Sequence, residues 1–366
     1  MIRLLIFLAL VLGVNQMWGQ EGDTSLTDAE KAFRDSIAAL NLENDILAKS
    51  QEFYNNGISN YQSGKYDQAI SDFSKALELN PVMLQAYYNR GVTRYAAGKY
   101  SDAVSDFSKV LDMKEDHYNA MYQRGMCHYS QGELEESLGD FLEAGMMEST
   151  KIEPVYQLGT VYFLLGKYDE SIKYFTKCTG MYPKNPDYWN DRGSAYRMKG
   201  DFTMAAADYE KALSINDKLA YVRNNLGSVK RLAGDSKSAL LAYDIATQSD
   251  ASYHVSSNNK GVILCEQGKY EDAIKAFDQA IKAKSDYTIA YNNRGAAKFK
   301  MEYYKEAEKD FNKAIQLDPK YTNAYVNRGI AREMNRDQKG ACQDWKTSGD
   351  MGSESGRKFF INNCND

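Results

Sequence analysis

A glycine recurs at one spacing along almost the whole chain. Gly57, Gly91, Gly125, Gly159, Gly193, Gly227, Gly261, Gly295 and Gly329 stand 34 residues apart with no insertion or deletion. A fixed period of this length means stacked copies of one supersecondary unit, none of which can bury its apolar face alone. With this glycine as position 8, the first repeat starts at Ser50. Position 15 is glycine from Gly64 to Gly268, then Glu302 and Arg336. Position 20 is small, from Ala69 to Ala341, position 27 is mostly alanine, and position 24 is a ring in every copy, from Phe73 to Trp345. Proline stands at position 32 in Pro81, Pro183 and Pro319.

The apolar and small positions fall at helical spacing on both sides of position 15. Its glycine suits the stop of a first helix and the proline the stop of a second. Each repeat therefore reads as two antiparallel helices, A and B. Small residues at 8 and 20 let the backbones approach, and the ring at 24 fills the space between them.

This pattern resembles the tetratricopeptide repeat (TPR) family, with its W-x2-L-G-x2-Y, A-x3-F, A and P positions. The match covers nine units over about 50–353 and is similar to exported bacterial members. Tryptophan at position 4 occurs only at Trp189, and repeat 6 departs at Arg223 and Ser236. The resemblance implies an all-α fold, a right-handed α-solenoid superhelix of tandem helix pairs, closed by capping helices at both ends. It also implies that helix A lines the concave face, with positions 2, 5, 6, 9, 12 and 13 pointing in.

The ends read differently. Residues 1–19 carry Arg3 and an apolar run from Leu4 to Leu12, the pattern of a secretory signal peptide. The run is shorter than the ~20 residues of a membrane span, so an exported, periplasmic protein is expected, soluble or peripheral. An uncleaved N-terminal anchor is the alternative. Residues 20–49 read as a polar lead and a capping helix, starting at Thr27-Asp28-Ala29-Glu30 with Ala29, Phe33, Ile37 and Leu40 on one stripe over repeat 1. Residues 354–366 read as a closing helix and tail, with Phe359, Phe360 and Ile361 turned to repeat 9. Cys342 in the last B helix and Cys364 after the closing helix are a candidate disulfide in an exported chain. Cys127 and Cys178 fall on packing positions, and Cys265 at position 12.

Nine copies act as an internal alignment. Arginine at position 7 coincides with aspartate at position 23 of the same repeat: Arg90 with Asp106, Arg124 with Asp140, Arg192 with Asp208, Arg294 with Asp310, Arg328 with Asp344. Pairing with the preceding repeat would bring Arg192 to Tyr174 and Arg294 to Ala276. A structural A-to-B pair inside each repeat is therefore expected.

No catalytic constellation is present. His117, His128 and His254 lie in different repeats, and no metal-ligand spacing, phosphate loop or nucleophile elbow occurs. No catalytic, cofactor or metal residue is assigned, and the chain reads as a non-enzyme. A net charge of −5 without a basic tail argues against nucleic acid.

The concave face is the remaining candidate. Position 5 is Tyr54, Tyr88, Tyr122 and Tyr156, then asparagine in repeats 5–8. Position 12 is Tyr61, Tyr95, Tyr129 and Phe163, then Arg197 and Arg231. Position 6 supplies Asn55, Asn89, Asn225, Asn259, Asn293 and Asn327. This row resembles the asparagine ladder in the repeat domain of O-linked N-acetylglucosamine transferase, and carboxamides can pair with an extended peptide backbone. The reading is a scaffold that binds a partner polypeptide in this groove. The alternative is a structural or self-associating subunit of a cell-envelope assembly, using the convex face or the caps.

Overall fold

The computed structural model describes residues 28–364. The signal-peptide reading of residues 1–19, and the lead up to residue 27, lie outside them. Nineteen helices follow one another among the described residues. They fall into two compact units, one ending at Gln131 and the other starting at Gly132. The division lies in the turn between the two helices of repeat 3.

The first unit holds helix Asp28–Gln62, then Tyr66–Leu79, Leu84–Ala96, Tyr100–Met113 and Tyr118–Gln131. The second runs from Leu134–Met147 to Glu354–Asn363. Within each unit, helix A packs on helix B of its own repeat, and B packs on the next A. This is the all-α solenoid arrangement of tandem helix pairs.

The position-8 glycine earns its place by contact. A Cβ on Gly91 would lie 2.8 Å from the Phe107 ring, and one on Gly261 would lie 2.5 Å from Phe277. The rings themselves are sealed: Phe107 is 0% exposed, Phe277 1% and Trp345 0%. Alanines at positions 20 and 27, such as Ala103, Ala273 and Ala280, are buried beside them. Each sealed ring is worth roughly 2–3 kcal/mol of burial.

Position 15 shows the second constraint. From Gly64 to Gly268 it adopts positive φ, between 71° and 89°, the left-handed region that stops helix A cheaply only without a Cβ. Glu302 and Arg336 hold the same conformation at φ 63° and 65°. The turn is kept in repeats 8 and 9 because the packing of the two helices enforces it.

The N-terminal expectation is corrected. Residues 28–49 form no separate cap over repeat 1; they continue helix A of that repeat as one 35-residue helix, Asp28–Gln62. The segment holds no proline, and its one glycine, Gly57, is a packing glycine, so nothing stops the helix near residue 49. Its apolar residues also divide between two opposite sides, Phe33 with Leu40 and Leu42 with Ile46. The first buried residue is Ser50, whose Oγ donates to the Ala76 carbonyl at 2.9 Å. Before it, about 22 residues, or ~33 Å of helix, leave Phe33 55%, Leu40 56% and Leu42 62% exposed.

At the other end, helix Glu354–Asn363 packs on helix Gln338–Asp350. Phe359 stacks on Trp345 at 5.2 Å between ring centres, and Gly356 meets Ser348 and Gly349 so closely that no side chain would fit. Cys342 and Cys364 are joined there, with Cα atoms 5.7 Å apart. Ile361 stays 58% exposed, so the apolar side of this helix is only partly covered.

Two substitutions test these constraints by thermal unfolding. Gly91→Ala pushes a methyl into Phe107 and is expected to cost about 1–3 kcal/mol. Glu302→Gly relieves a side chain held at positive φ and is expected to raise stability by about 1 kcal/mol.

Candidate functional site

The A helices carry the candidate residues, and their polar side chains first serve the chain itself. Asn225 Nδ2 donates to Asn190 Oδ1 at 3.0 Å, Asn259 to Asn224 at 3.0 Å, Asn293 to Asn258 at 3.0 Å and Asn327 to Asn292 at 2.9 Å. Position 6 of one repeat thus bonds position 5 of the repeat before it. The accepting asparagines are buried, between 5% and 9% exposed. The carboxamide row is therefore an internal ladder, and one N–H of each of these position-6 amides is spent on it. Asn225, Asn259 and Asn327 keep an Oδ1 without a donor among the described residues, whereas Asn293 Oδ1 accepts from Asn292.

The same link exists where position 5 is tyrosine. Asn89 Nδ2 donates to Tyr54 Oη at 2.8 Å, and Tyr156 Oη donates to Asp191 Oδ2 at 2.9 Å. Asn55, with no repeat before it, is exposed and accepts from Gln51 of its own helix. Sequence reading missed the link, although a signal existed. Wherever position 5 is asparagine, position 6 of the following repeat is asparagine too.

The aromatic residues stand on the core. Tyr54, Tyr88 and Tyr156 lie 5.8 Å from Phe73, Phe107 and Phe175 of the same repeat. Tyr61 and Tyr95 at position 12 lie against Tyr66 and Tyr100 at 5.9 and 5.4 Å. Tyr122 stacks on Tyr118 one turn away at 6.3 Å. None of these tyrosines is fully buried; Tyr61 is exposed, and Tyr54, Tyr88, Tyr95, Tyr122, Tyr129 and Tyr156 are half-buried. Burial raises the phenol pKa of Tyr54, Tyr88 and Tyr156, so all three remain neutral donors.

Position 7 braces the B helices. Arg192 donates from Nε and Nη2 to Asp208 at 2.8 and 2.7 Å, Arg294 to Asp310 at 2.9 and 2.5 Å, and Arg328 to Asp344 at 2.8 and 2.5 Å. Arg90 grips Asp106 in the same way, at 3.0 and 2.7 Å. Arg124 and Asp140 belong to different compact units. A second partner was not foreseen: Nη1 reaches position 25 of the preceding B helix, at Ser74, Ser108, Thr176, Asp278 and Asn312. In repeat 7 Lys260 finds Asp244 there at 2.5 Å. Asp106, Asp208, Asp310 and Asp344 are 2–4% exposed, so these four position-7 pairs are shielded and bidentate rather than solvated.

Of the two arginines at position 12, Arg231 is bound by Glu266 of the next repeat through two hydrogen bonds. Arg197 has a buried Nε without an acceptor among the described residues.

One recess opens on this face within the second compact unit. Tyr156, Thr160 and Phe163 of repeat 4, with Asp191 and Ser194 of repeat 5, surround about 130 Å³ above the Phe175 ring. The Asp191 carboxylate receives Tyr156 Oη and Asn190 Nδ2, the latter at 3.1 Å. Desolvation holds its pKa above the ordinary 3.8, against the two hydrogen bonds, and the nearby Asp187 adds to the rise.

Two of the free thiols stay protonated at neutral pH. Burial pushes Cys178 up to about 12 and Cys265 up to about 11, and Cys127 is buried. No group of metal-ligating side chains occurs among the described residues. Nor is any helix among them long and apolar enough to cross a membrane.

Comparison with known proteins agrees with this architecture. Family models described as TPR repeat match residues 59–98 and 261–302. Models described as tetratricopeptide repeat match 288–321, and 93–145 with 156–220. Together they span more than half of the chain, and the chain belongs to the tetratricopeptide repeat family. Such folds are typically non-enzymatic scaffolds for protein–protein interaction. No curated protein matches in sequence. Among solved structures, the crystal structure of the APC/C hetero-tetramer Cut9-Hcn1 is similar in fold, with a TM-score of 0.51 and 13% identity over 86% of this chain and 76% of that one. A MamA crystal structure gives 0.45 and 23% over 47% of this chain and 94% of that one. A tetratricopeptide repeat protein from Parabacteroides merdae gives 0.47 and 18% over 77% and 99%. At these identities the likeness is one of fold.

Two outcomes are expected. Asp208→Ala strands Arg192, whose other acceptors are the hydroxyls of Thr176 and Thr179, and removing one partner of a shielded pair costs about 3–5 kcal/mol, read by denaturant unfolding. Folding raises the Asp191 pKa, so the stability this group contributes is complete below 3.8 and is lost as pH rises through the folded value. Asp191→Asn is therefore expected to gain in melting temperature over the native chain as pH rises from the acid range to neutrality.

Proposed function

We propose that this chain is a non-enzymatic, exported scaffold that binds a partner polypeptide along the open face of its A helices. The observation that carries the reading is the row of tyrosines in the first compact unit. Tyr54, Tyr61, Tyr88, Tyr95, Tyr122 and Tyr129 leave aromatic surface that nothing within that unit fully covers. Partly exposed aromatic side chains repeated along one set of helices favour a partner site. An extended peptide presents side chains to such a row; in the second compact unit a peptide backbone would find acceptors in the Oδ1 atoms of Asn225, Asn259 and Asn327, which take no donor among the described residues. Export follows from the reading of residues 1–19, and the joined Cys342 and Cys364 fit an oxidising compartment.

A second reading is self-association within an envelope assembly, and one observation favours it. Phe33, Ile37, Leu40 and Leu47 lie at the alternating four- and three-residue spacing of a coiled-coil seam, with Asn44 in the same row. Of these, Phe33, Leu40 and Leu47 are exposed.

The two readings separate by experiment. In the first, replacing Tyr88, Tyr95 and Tyr122 by alanine is expected to remove partners recovered by crosslinking pull-down from the native envelope, with helix content unchanged. An unaltered set of partners would remove the tyrosines from the account. In the second, light scattering of the mature chain would give a dimer mass that Leu40→Glu reduces to a monomer.

A further inference from the structure

Position 6 is a carboxamide in eight repeats and a carboxylate in one. Asn55, Asn89, Gln123, Gln157, Asn225, Asn259, Asn293 and Asn327 are the carboxamides, and Asp191 is the exception. The ladder does not call for that charge. An asparagine oxygen would accept from Tyr156 as well as the carboxylate does, and the amide would add a donor.

The surroundings make the charge unfavourable in the chain alone. Both hydrogen-bond partners of Asp191, Tyr156 and Asn190, are neutral. No cation pairs with it among the described residues, and Asp187 nearby carries the same sign. A partly buried carboxylate without a cation is a standing cost to the fold. The recess in front of it has the complementary form: aromatic walls from Tyr156 and Phe163, hydroxyls from Thr160 and Ser194, and about 130 Å³ of room open to the A-helix face.

We infer that this recess takes the basic side chain, lysine or arginine, of the bound polypeptide. The methylene stem would lie along the Tyr156 and Phe163 rings, where a cation is also drawn to the ring faces. The ammonium or guanidinium would reach Asp191 and form the charge-assisted hydrogen bond that the chain itself does not supply. The inference rests on the reading that the A-helix face binds a polypeptide, and it sets which residue type that polypeptide needs opposite repeats 4 and 5.

The test uses the folded mature chain and a displayed library of random 12-residue peptides. Selected peptides are then synthesised with a fluorophore, once as selected and once with norleucine or citrulline replacing each basic residue. Binding is measured by anisotropy to the native chain and to Asp191→Asn, which carries the residue found at position 6 in six other repeats. The selected peptides are expected to share a lysine or arginine. Its neutral replacement should weaken binding to the native chain at least tenfold and leave binding to Asp191→Asn little changed. Asp191→Asn should also melt at or above the native temperature at neutral pH. Peptides that bind both proteins equally, with no shared basic residue, would overturn the inference and leave the groove reading standing. A library that yields no binding peptide would overturn both. A lower melting temperature for Asp191→Asn would assign the carboxylate a structural role instead.

Discussion

Within each compact unit, the contact between the position-8 glycine and the position-24 ring sets how closely the two helices of a repeat approach. At Gly57, Gly159, Gly227 and Gly329 a Cβ would sit within 3 Å of the facing ring, so even the smallest side chain would move the helices apart. Everything else in the repeat is scaled to that distance. The alanines at 20 and 27 fit beneath the ring, and the left-handed turn at position 15 returns the chain at the matching spacing. The ring also forms the floor on which the position-5 tyrosines stand, so the candidate surface depends on the same contact as the core.

Stacking of repeats rests on a second, polar layer. Apolar contacts between neighbouring helices are non-directional and would tolerate sliding. The amide link from position 6 to position 5 and the arginine link from position 7 to position 25 are directional and recur at one offset. Buried hydrogen-bonded side chains of this kind reward one register over its neighbours. This division of labour explains why so polar a face belongs to a stable solenoid: much of its polarity is already committed to its neighbours. What remains available to a partner is the aromatic surface, the unused amide oxygens and the one carboxylate that the ladder leaves without a countercharge.

The period carried most of the architecture into view before any coordinates. Glycine, ring and alanine positions are dictated by close packing, which admits few residue types, so nine copies repeat them. The in-repeat arginine and aspartate positions were legible for the same reason, since two residue types varied together within one copy. The ladder was harder to see because its two halves lie in different copies, and asparagine at position 6 read alone looks like a ligand-facing residue. The N-terminal helix was misjudged because a capping pattern at Thr27 marks where a helix starts and says nothing of where it ends. Asp191 is one acid in a row of carboxamides, and only its neutral neighbours and the recess beside it give the charge a meaning.

The central claim is that the open A-helix face, and not the outer B-helix face, receives a polypeptide. Site-specific photo-crosslinking of the full chain in its native cells tests it most directly. One probe replaces Tyr95 on an A helix, and another replaces Leu241, a 62% exposed side chain on a B helix. The account predicts a discrete crosslinked polypeptide from position 95 and none from position 241. Crosslinking at position 241 with nothing at position 95 would contradict it.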